Sequence, residues 1–336
     1  MSMPLRRIGP FNVSSIGLGC MNLSHAYGTP PAPEVAEALL LGALDLGVNF
    51  FDTAALYGFG VNESLLGRVF KPHRSKIVLA SKCGVTGVNG QRVVDGRPDT
   101  LKRTCDESLQ RLQTDVIDIY YLHRLDRQVP VEESVGALAD LVQAGKIRSI
   151  GLSEVSAATL RRAYSVHPVA AVQNEYSLWT REVEIGVLKA CRELGVALVA
   201  FSPLARSFLT GDLHDPATQF EKGDIRLGMP RFSQENFRIN LELLGPFRKI
   251  ADECGCTMAQ LALAWLLARN EFIVPITGTR NLRHLEESLG AASVSLDPET
   301  ITRLDSLINH FTVAGARYNA ATQRDVDTET FPDIEG

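Results

Sequence analysis

The sequence lacks the clustered positive charge of a protein that binds nucleic acid. No block of five or six basic residues occurs, and 34 Lys and Arg side chains stand against 39 Asp and Glu, for a net charge of −5. We therefore expect no nucleic-acid partner. The composition, 45% hydrophobic and 22% charged, is that of an ordinary globular chain and excludes disorder, collagen and coiled coil.

Long apolar runs are also missing. The longest charge-free stretch, residues 8–33, is interrupted by prolines, glycines and polar residues, and the apolar run at residues 196–204 is far shorter than the roughly 20 residues of a spanning helix. The pair Arg6-Arg7 leads into Gly9-Pro10 rather than into the apolar core of a signal peptide. These features predict no membrane span and a cytoplasmic location.

Cysteine is sparse and scattered. Of the six cysteines, only Cys254 and Cys256 lie close together, and no His or Cys follows them at the spacing of a zinc finger. A chain of 336 residues is long enough to build a core without cross-links. We therefore predict free thiols and no metal site.

Short β-rich apolar segments alternate with segments of helical period up to about residue 290, which indicates parallel strands joined by helices. The eight predicted strands cover residues 15–18, 50–52, 77–81, 117–122, 147–152, 171–174, 197–201 and 272–276. The predicted helices cover residues 33–46, 63–69, 100–112, 131–144, 157–165, 183–194, a pair within 234–269, and 282–289. Helix starts are predicted at Asp99-Thr100 and Ser156, and helix stops at Gly47, Gly145, Gly195 and Gly290.

Eight such units favour a (β/α)8 TIM barrel, an α/β fold, over a doubly wound sheet. No Gly-x-Gly-x-x-Gly fingerprint follows the first strand, where only Gly17-Leu18-Gly19-Cys20 occurs. We predict one barrel domain over residues 1–336, with its core at about 5–310 and an N-terminal hairpin within 6–19. The segment 208–238 has no clear period and is typical of a lid, and after a last helix from about 297 to 311 the tail 313–336 either lies across the barrel or is disordered.

Polar residues follow the predicted strands where a barrel gathers its loops at one mouth. Asp52, Lys82 and His123 end the second, third and fourth strands, and Tyr57 lies five residues beyond Asp52. Each residue alone has a structural explanation, such as a cap or a hydrogen-bonded core histidine, but their joint occurrence is typical of an acid-base site.

The four residue types fit a site that donates a proton to a carbonyl. A free tyrosine has a pKa of about 10, and an ammonium about 4 Å away at an effective dielectric near 20 favours the tyrosinate by up to about 4 kcal/mol. We therefore expect the pKa of Tyr57 to lie nearer 7. Lys82 needs a carboxylate to stay charged when buried, and Asp52 is the candidate. His123 would hold the carbonyl oxygen.

These residues belong to motifs that resemble the aldo-keto reductases. The motifs are Phe-Phe-Asp-Thr-Ala at residues 50–54, Ala-Ser-Lys at 80–82 and Asp-Ile-Tyr-Tyr-Leu-His at 118–123, with further matches at 145–153, 173–177, 201–204 and 275–280. The resemblance covers about residues 5–310. It is closest to bacterial and plant members that also resemble potassium-channel β subunits.

The resemblance implies an NADPH-dependent reductase of aldehydes and ketones. Tyr57 would be the general acid, Lys82 and Asp52 would tune it, and His123 would orient the substrate. The cofactor would be bound by Gly19, Cys20, Met21, Asp52, Ser153, Gln173, Phe201, Ser202, Pro203, Leu204, Leu209, Gly278, Thr279, Arg280, His284, Glu287 and Ser288. Within that set, Ser153 and Gln173 would hold the carboxamide, Phe201 would stack on the nicotinamide, and Thr279 and Arg280 would bind the 2′-phosphate.

The resemblance also implies a substrate pocket with a largely apolar wall and one cation. Its residues would be Tyr27, Phe59, Arg124, Trp179 and Phe208, together with Met21, and a mainly apolar carbonyl compound would fit them. Two residues depart from the family pattern: Glu154 and Ser288 stand where many relatives have Asn. The substrate itself, the direction of the reaction and the choice between monomer and homo-oligomer stay open.

Two other functions are compatible with the residues. Lys82 could act as the Schiff-base nucleophile of a barrel aldolase, which borohydride would trap. Alternatively, the barrel could hold NADPH as a redox-sensing regulatory subunit with incidental turnover.

Overall fold

A closed barrel of eight parallel strands forms the centre of this computed structural model, which describes residues 3–88 and 91–332. The strands follow one another around the barrel in chain order, and the last pairs with the first. They are β3 (Gly17–Gly19), β4 (Phe50–Asp52), β5 (Val78–Cys83), β8 (Ile117–Leu122), β9 (Ile147–Ser153), β10 (Val169–Glu175), β11 (Ala197–Phe201) and β12 (Ile273–Thr277). The predicted (β/α)8 barrel is confirmed, with strand limits that differ from the predicted ones by at most two residues.

Two antiparallel hairpins accompany the barrel. The predicted N-terminal hairpin consists of β1 (Leu5–Ile8) and β2 (Phe11–Ser14). A second hairpin, β6 (Val85–Val88) and β7 (Gln91–Val94), follows β5 and was not predicted. Each of these strands is only four residues long, so period-2 alternation is hard to detect in their sequence.

The alternation of side chains along each strand separates an inner core from an outer one. On β8, Ile119 and Tyr121 belong to the cluster inside the barrel, whereas Tyr120 and Leu122 belong to the cluster between barrel and helices. Ile8 of the N-terminal hairpin also belongs to the inner cluster. The hairpin therefore closes the end of the barrel at which the strands begin, which leaves the opposite end open.

The helices surround the barrel. They are α1 (Pro33–Asp45), α2 (Val61–Phe70), α3 (Pro98–Leu112), α4 (Val131–Gln143), α5 (Ala157–Val166), α6 (Val187–Leu194), α7 (Pro216–Gln219), α8 (Gln234–Leu241), α9 (Leu244–Glu253), α10 (Met258–Arg269), α11 (Leu282–Gly290), α12 (Pro298–Leu307) and α13 (Ala320–Gln323). Segment 234–269 therefore holds three helices rather than the predicted pair.

Most of the predicted helix ends are correct. The Ser156 side chain accepts from the Thr159 amide at the start of α5, and Gly195 ends α6 in the left-handed conformation. The start predicted at Asp99-Thr100 is wrong, because Pro98 needs no hydrogen-bond partner for its nitrogen and takes the first position of α3. The stop at Gly290 also differs, since its φ of −58° lets the chain continue into a 3₁₀ turn.

The two segments without clear period are ordered by contacts distant in sequence. The long loop, residues 208–238, contains α7 and the start of α8. The C-terminal tail, from residue 313, contains α13 and lies across the barrel mouth, which was one of its two predicted alternatives. Residues 333–336 of that tail lie outside the described residues. Within residues 3–88 and 91–332, no helix has the length and apolarity to cross a membrane, and no three His, Cys, Asp or Glu side chains are grouped for metal binding.

Candidate active site

A cavity of about 680 Å³ opens where the barrel strands end. Asp52, Tyr57, His123 and Arg124 line its floor, together with residues from the loops after β3, β11 and β12. A larger groove of about 1010 Å³ lies at the opposite end, beside the N-terminal hairpin. We place the candidate site in the smaller cavity because it contains the buried acid-base groups.

Lys82 connects two of the predicted catalytic residues. Its ammonium forms a buried salt bridge with Asp52 Oδ1, donates to the carbonyl oxygen of Thr53 over 2.8 Å, and lies 3.1 Å from the hydroxyl of Tyr57. The other carboxylate oxygen of Asp52 accepts from Gln173 Nε2 over 2.8 Å. All polar atoms of this group therefore have partners inside the protein, which fixes the position of the Tyr57 phenol.

The turn after Tyr57 has an unusual backbone. Gly58, Phe59 and Gly60 all have positive φ, of 57°, 52° and 91°. A side chain on Gly60 would be strained at that φ, and its Cβ would lie 2.6 Å from Cδ of Arg111. This turn connects Tyr57, which lines the cavity, to the start of α2 at Val61.

Burial determines the acidity of the phenol. Desolvation raises the pKa of Tyr57, and the Lys82 charge, which acts in the opposite direction, does not overcome it. Our expectation of a pKa nearer 7 is wrong, because it counted the lysine and omitted the cost of burying a phenolate. Burial also acts to lower the pKa of Lys82, but the charges of Asp52 and Tyr57 outweigh it, so that this pKa is raised and the ammonium persists.

His123 lines the cavity beside Tyr57 as a neutral imidazole. Burial, followed by the charges of Arg124 and Lys82, lowers the pKa of His123 well below 6.5. Its ring meets that of Tyr57 edge-on, with 5.9 Å between centroids. Among the described residues its Nδ1 has no hydrogen-bond partner. A neutral imidazole in this position can hydrogen-bond to a small molecule in the cavity without exchanging a proton with it.

Most residues expected to hold the cofactor line the cavity. They are Gly19, Met21, Asp52, Ser153, Gln173, Phe201, Ser202, Pro203, Leu204, Gly278, Thr279, Arg280 and His284. The remaining four residues do not line the cavity. Cys20, Leu209 and Ser288 are buried, and the carbonyl oxygen of Glu287 accepts a hydrogen bond from Gln260. Most of the residues expected to bind the cofactor therefore surround one cavity.

The cavity also holds residues that the sequence analysis missed. Asn22 Oδ1 and Thr277 Oγ1 are buried and, within the described ranges, have no hydrogen-bond partner, although both residues line the cavity. Unpartnered buried polar atoms are costly unless a ligand or water completes them. An elongated polar molecule such as a dinucleotide fits these groups. Asn22 could have been found from its position three residues past the end of β3.

Three of the predicted substrate residues, Phe59, Trp179 and Phe208, do not line the cavity. The Phe59 side chain is 58% exposed on the outside of its turn. Trp179 and Phe208 stack on each other at 4.2 Å between centroids and belong to the buried core beneath the long loop. Of the expected substrate residues, Tyr27 and Arg124 line the cavity, together with Met21.

Glu154 is directed away from the cavity. Its φ is 56°, one carboxylate oxygen accepts from the amide of Glu175, and the other accepts from Arg317 Nη2 over 2.7 Å. Arg317 also donates to Glu175 Oε2, which accepts from Arg206 as well, each over 2.8 Å. This buried cluster of Glu154, Glu175, Arg206 and Arg317 binds the tail to the barrel. Arg317 could not be found from the sequence, because the tail shows no helix or strand period around it.

The tail forms one wall of the cavity through Tyr318, Asn319 and Thr322. Arg206 donates to the hydroxyl of Tyr318 over 2.9 Å, and Asn319 donates to the carbonyl of Gly228 over 3.0 Å. The tail therefore joins the loop after β11 to the long loop.

A closed barrel of eight parallel strands with a cavity at the strand ends is an architecture that this chain shares with solved aldo-keto reductases. The Aldo/keto reductase family model matches residues 15–309, and the chain belongs to this family of oxidoreductases acting on carbonyl and alcohol groups. It is similar to the NADP(+) aldo-keto reductase yakc of Schizosaccharomyces pombe, with 45% identity over 341 residues, covering 99% of this chain and 100% of that protein.

Solved structures with the same fold include a dehydrogenase and a reductase. A glycerol dehydrogenase from Gluconobacter oxydans superposes with a TM-score of 0.84 and 27% identity over 100% of both chains. An aldo/keto reductase from Klebsiella pneumoniae, in complex with NADP and acetate, has a TM-score of 0.72 and 26% identity, covering 95% of this chain and 99% of that one.

Proposed function

We propose that this protein reduces aldehydes and ketones to alcohols with NADPH, with Tyr57 as the general acid. The observation that carries the proposal is the contact of 3.1 Å between the Tyr57 hydroxyl and the ammonium of Lys82, which is itself paired with Asp52. Family membership supplies the class of reaction. The geometry supports Tyr57 as the group that donates the proton.

The raised pKa of Tyr57 suits a proton donor. The phenol keeps its proton until negative charge develops on the substrate oxygen, and Lys82 then stabilises the phenolate that is left. His123 lines the same cavity and stays neutral, so it orients the carbonyl oxygen by hydrogen bonding. NADPH, when bound, supplies the hydride.

Several residues fit the parts of a dinucleotide. Ser153 and Gln173 line the cavity beside Asp52 and would hold the carboxamide, and Phe201 would stack on the nicotinamide ring. The loop over residues 202–207 would pass the pyrophosphate. Thr279 and Arg280 lie on the loop after β12, where the guanidinium would pair with the 2′-phosphate of NADPH. The names of the yeast and Klebsiella relatives, with NADP(+) and NADP, support this choice.

The aldolase alternative disagrees with the state of Lys82. A Schiff-base nucleophile must be a free amine, but the ammonium is hydrogen-bonded to three oxygens, those of Asp52, Thr53 and Tyr57. Its raised pKa keeps it protonated. Borohydride with a carbonyl compound is therefore expected to leave the mass of the protein unchanged.

The test is the consumption of NADPH and NADH, followed by absorbance, with a reactive aromatic aldehyde. We expect turnover with NADPH, a loss of about 10²-fold or more in kcat for Tyr57→Phe, and a raised KM for NADPH in Arg280→Ala. Cofactor fluorescence would show that Tyr57→Phe still binds NADPH. Tight NADPH binding with no reduction of any aldehyde would contradict the proposal and favour the redox-sensing subunit.

A further inference from the structure

We propose that Arg124 selects carbonyl substrates that carry a carboxylate close to the carbonyl group. This inference rests on the proposed function and assigns it a substrate class. It adds a charged group to the mainly apolar substrate that we expected, because Arg124 lines the cavity whereas Phe59, Trp179 and Phe208 do not.

Arg124 lies beside the reacting groups because it directly follows His123 at the end of β8. It lines the cavity together with Tyr57 and His123. Its Nη1 donates to the carbonyl of His123 over 2.6 Å and lies 3.2 Å from the hydroxyl oxygen of Ser153. These contacts hold one corner of the guanidinium against the barrel end.

The other edge of this guanidinium is available. Within residues 3–88 and 91–332, the hydrogen bonds of the Arg124 side chain all run through Nη1, so neither Nε nor Nη2 has an acceptor and no carboxylate pairs with the side chain. Nε and Nη2 together form the fork that receives both oxygens of a carboxylate. This edge belongs to a part-buried side chain on the cavity lining, where an anionic ligand can pair with it.

The other arginines that line the cavity are engaged elsewhere. Arg206 pairs with Glu175, Arg226 with Asp224, and Arg92 with Asp325. Arg280 lies on the loop after β12, where the proposed function assigns it to the 2′-phosphate. Arg124 is therefore the cavity-lining arginine in the described part of the chain that remains for the substrate.

The charge of the cavity wall favours the same class. Asp52 is the one acidic residue lining the cavity among those described, and Lys82 neutralises it. A substrate with a carboxylate would therefore meet positive charge with no opposing carboxylate. An arrangement of this kind discriminates against a neutral analogue of similar shape, because the arginine would remain unpaired with that analogue.

The experiment compares matched substrates with NADPH as cofactor. The substrates are 3- and 4-carboxybenzaldehyde and their methyl esters, whose aldehyde groups are alike and whose second substituents differ in charge. We expect kcat/KM to be about tenfold or more higher for at least one of the acids than for its ester, through KM. The quantity compared between variants is this ratio of acid to ester.

Two variants and a control test the residue. Arg124→Met should bring the ratio to about 1 or below, and Arg124→Lys should retain part of it because it keeps the charge without the fork. Arg161→Met removes the same charge from an exposed ion pair between Arg161 on α5 and Glu193 on α6, and should leave the ratio as in the native protein. NADPH affinity, measured by fluorescence, should be similar in all four proteins.

The outcomes separate this inference from the proposed function. Reduction of the esters at least as efficiently as of both acids, or a native ratio in Arg124→Met, would overturn the role of Arg124 and leave the reductase intact. Loss of NADPH binding in Arg124→Met would also overturn it, because the arginine would then serve the cofactor. No NADPH consumption with any of the four aldehydes would contradict the proposed function itself.

Discussion

Arg317 donates to Glu154 over 2.7 Å although 163 residues separate them in the chain. The pair lies in the buried cluster with Glu175 and Arg206, which joins two strand ends, the loop after β11 and the C-terminal tail. Two carboxylates and two guanidiniums balance in charge. Because Tyr318 follows directly and lines the cavity, this cluster positions one wall of the substrate pocket.

We predict that Glu175 makes stability depend on acid pH. Burial acts to raise the pKa of Glu175, but the charges of Arg206 and Arg317 outweigh it and lower the pKa from 4.5 to about 2. A depressed carboxylate contributes stability above its unfolded pKa and loses it as pH falls from about 4.5 to about 2. Glu175→Gln should lower the free energy of unfolding by about 3 kcal/mol at pH 7, and the difference from native should shrink toward pH 2.

Urea unfolding at pH 7, 5, 4 and 3 measures this effect. The control is Glu193→Gln, which removes an exposed ion pair with Arg161 and should change stability by less than about 1 kcal/mol at every pH. A constant difference between native and Glu175→Gln over the whole range would contradict the assignment.

Asp52 and Lys82 should be strongly coupled in stability. Each is buried, and removing one leaves the other as an uncompensated charge, which typically costs about 3–5 kcal/mol. We expect Asp52→Asn and Lys82→Met each to lose stability in that range. The double variant should lose much less than the sum, since no charge remains unpaired. Additive losses in denaturant unfolding would show that the ion pair does not govern this part of the core.

His123 should remain neutral across the physiological range. Its pKa is well below 6.5, first through burial and then through the neighbouring Arg124 and Lys82 charges. We therefore expect its ring resonances to stay unchanged between pH 8 and 6 in NMR spectra, with the signal assigned by its loss in His123→Asn. As unfolded histidine binds a proton near pH 6.5, this site should make the fold less stable at lower pH. A ring titration above pH 6 would disprove the neutral assignment.

Gly60 should be required for the turn that carries Tyr57. An added Cβ would meet Arg111 at 2.6 Å, and the φ of 91° disfavours a side chain. Gly60→Ala should therefore destabilise the fold by about 1–3 kcal/mol and lower kcat. Gly136→Ala in α4 is the matched control, because no atom lies within 4 Å of its Cβ, and it should stabilise by up to about 1 kcal/mol. Equal effects of the two substitutions would contradict this account.

The barrel could be predicted because its signals are local. The strand at residues 117–122 and the helix stop at Gly195 depend on neighbouring residues alone, and both are found as predicted. The second hairpin and the helices of the long loop could not be predicted in this way. The hairpin pairs locally, but its strands are too short to show a period. The long loop is held by partners far away in the chain, such as the Ala26 carbonyl that accepts from the amide of Ile225.

The candidate site could be predicted in its residues but not in its chemistry. Asp52, Lys82 and His123 end neighbouring strands, so the barrel brings them together. Whether Tyr57 becomes more or less acidic depends on its burial, which the sequence does not state. The direction of the shift was accordingly predicted wrongly.

The sequence by itself determined the order of strands and helices, the barrel and the residues at its mouth, because each follows from periodicity and from the chain order of neighbouring strands. The tertiary structure decided which groups are desolvated. It also decided that the tail, attached through Arg317, forms one wall of the cavity, and that within the described residues one edge of Arg124 has no partner. These properties depend on contacts between segments remote in sequence, since burial and ion pairing arise only when the whole barrel has closed.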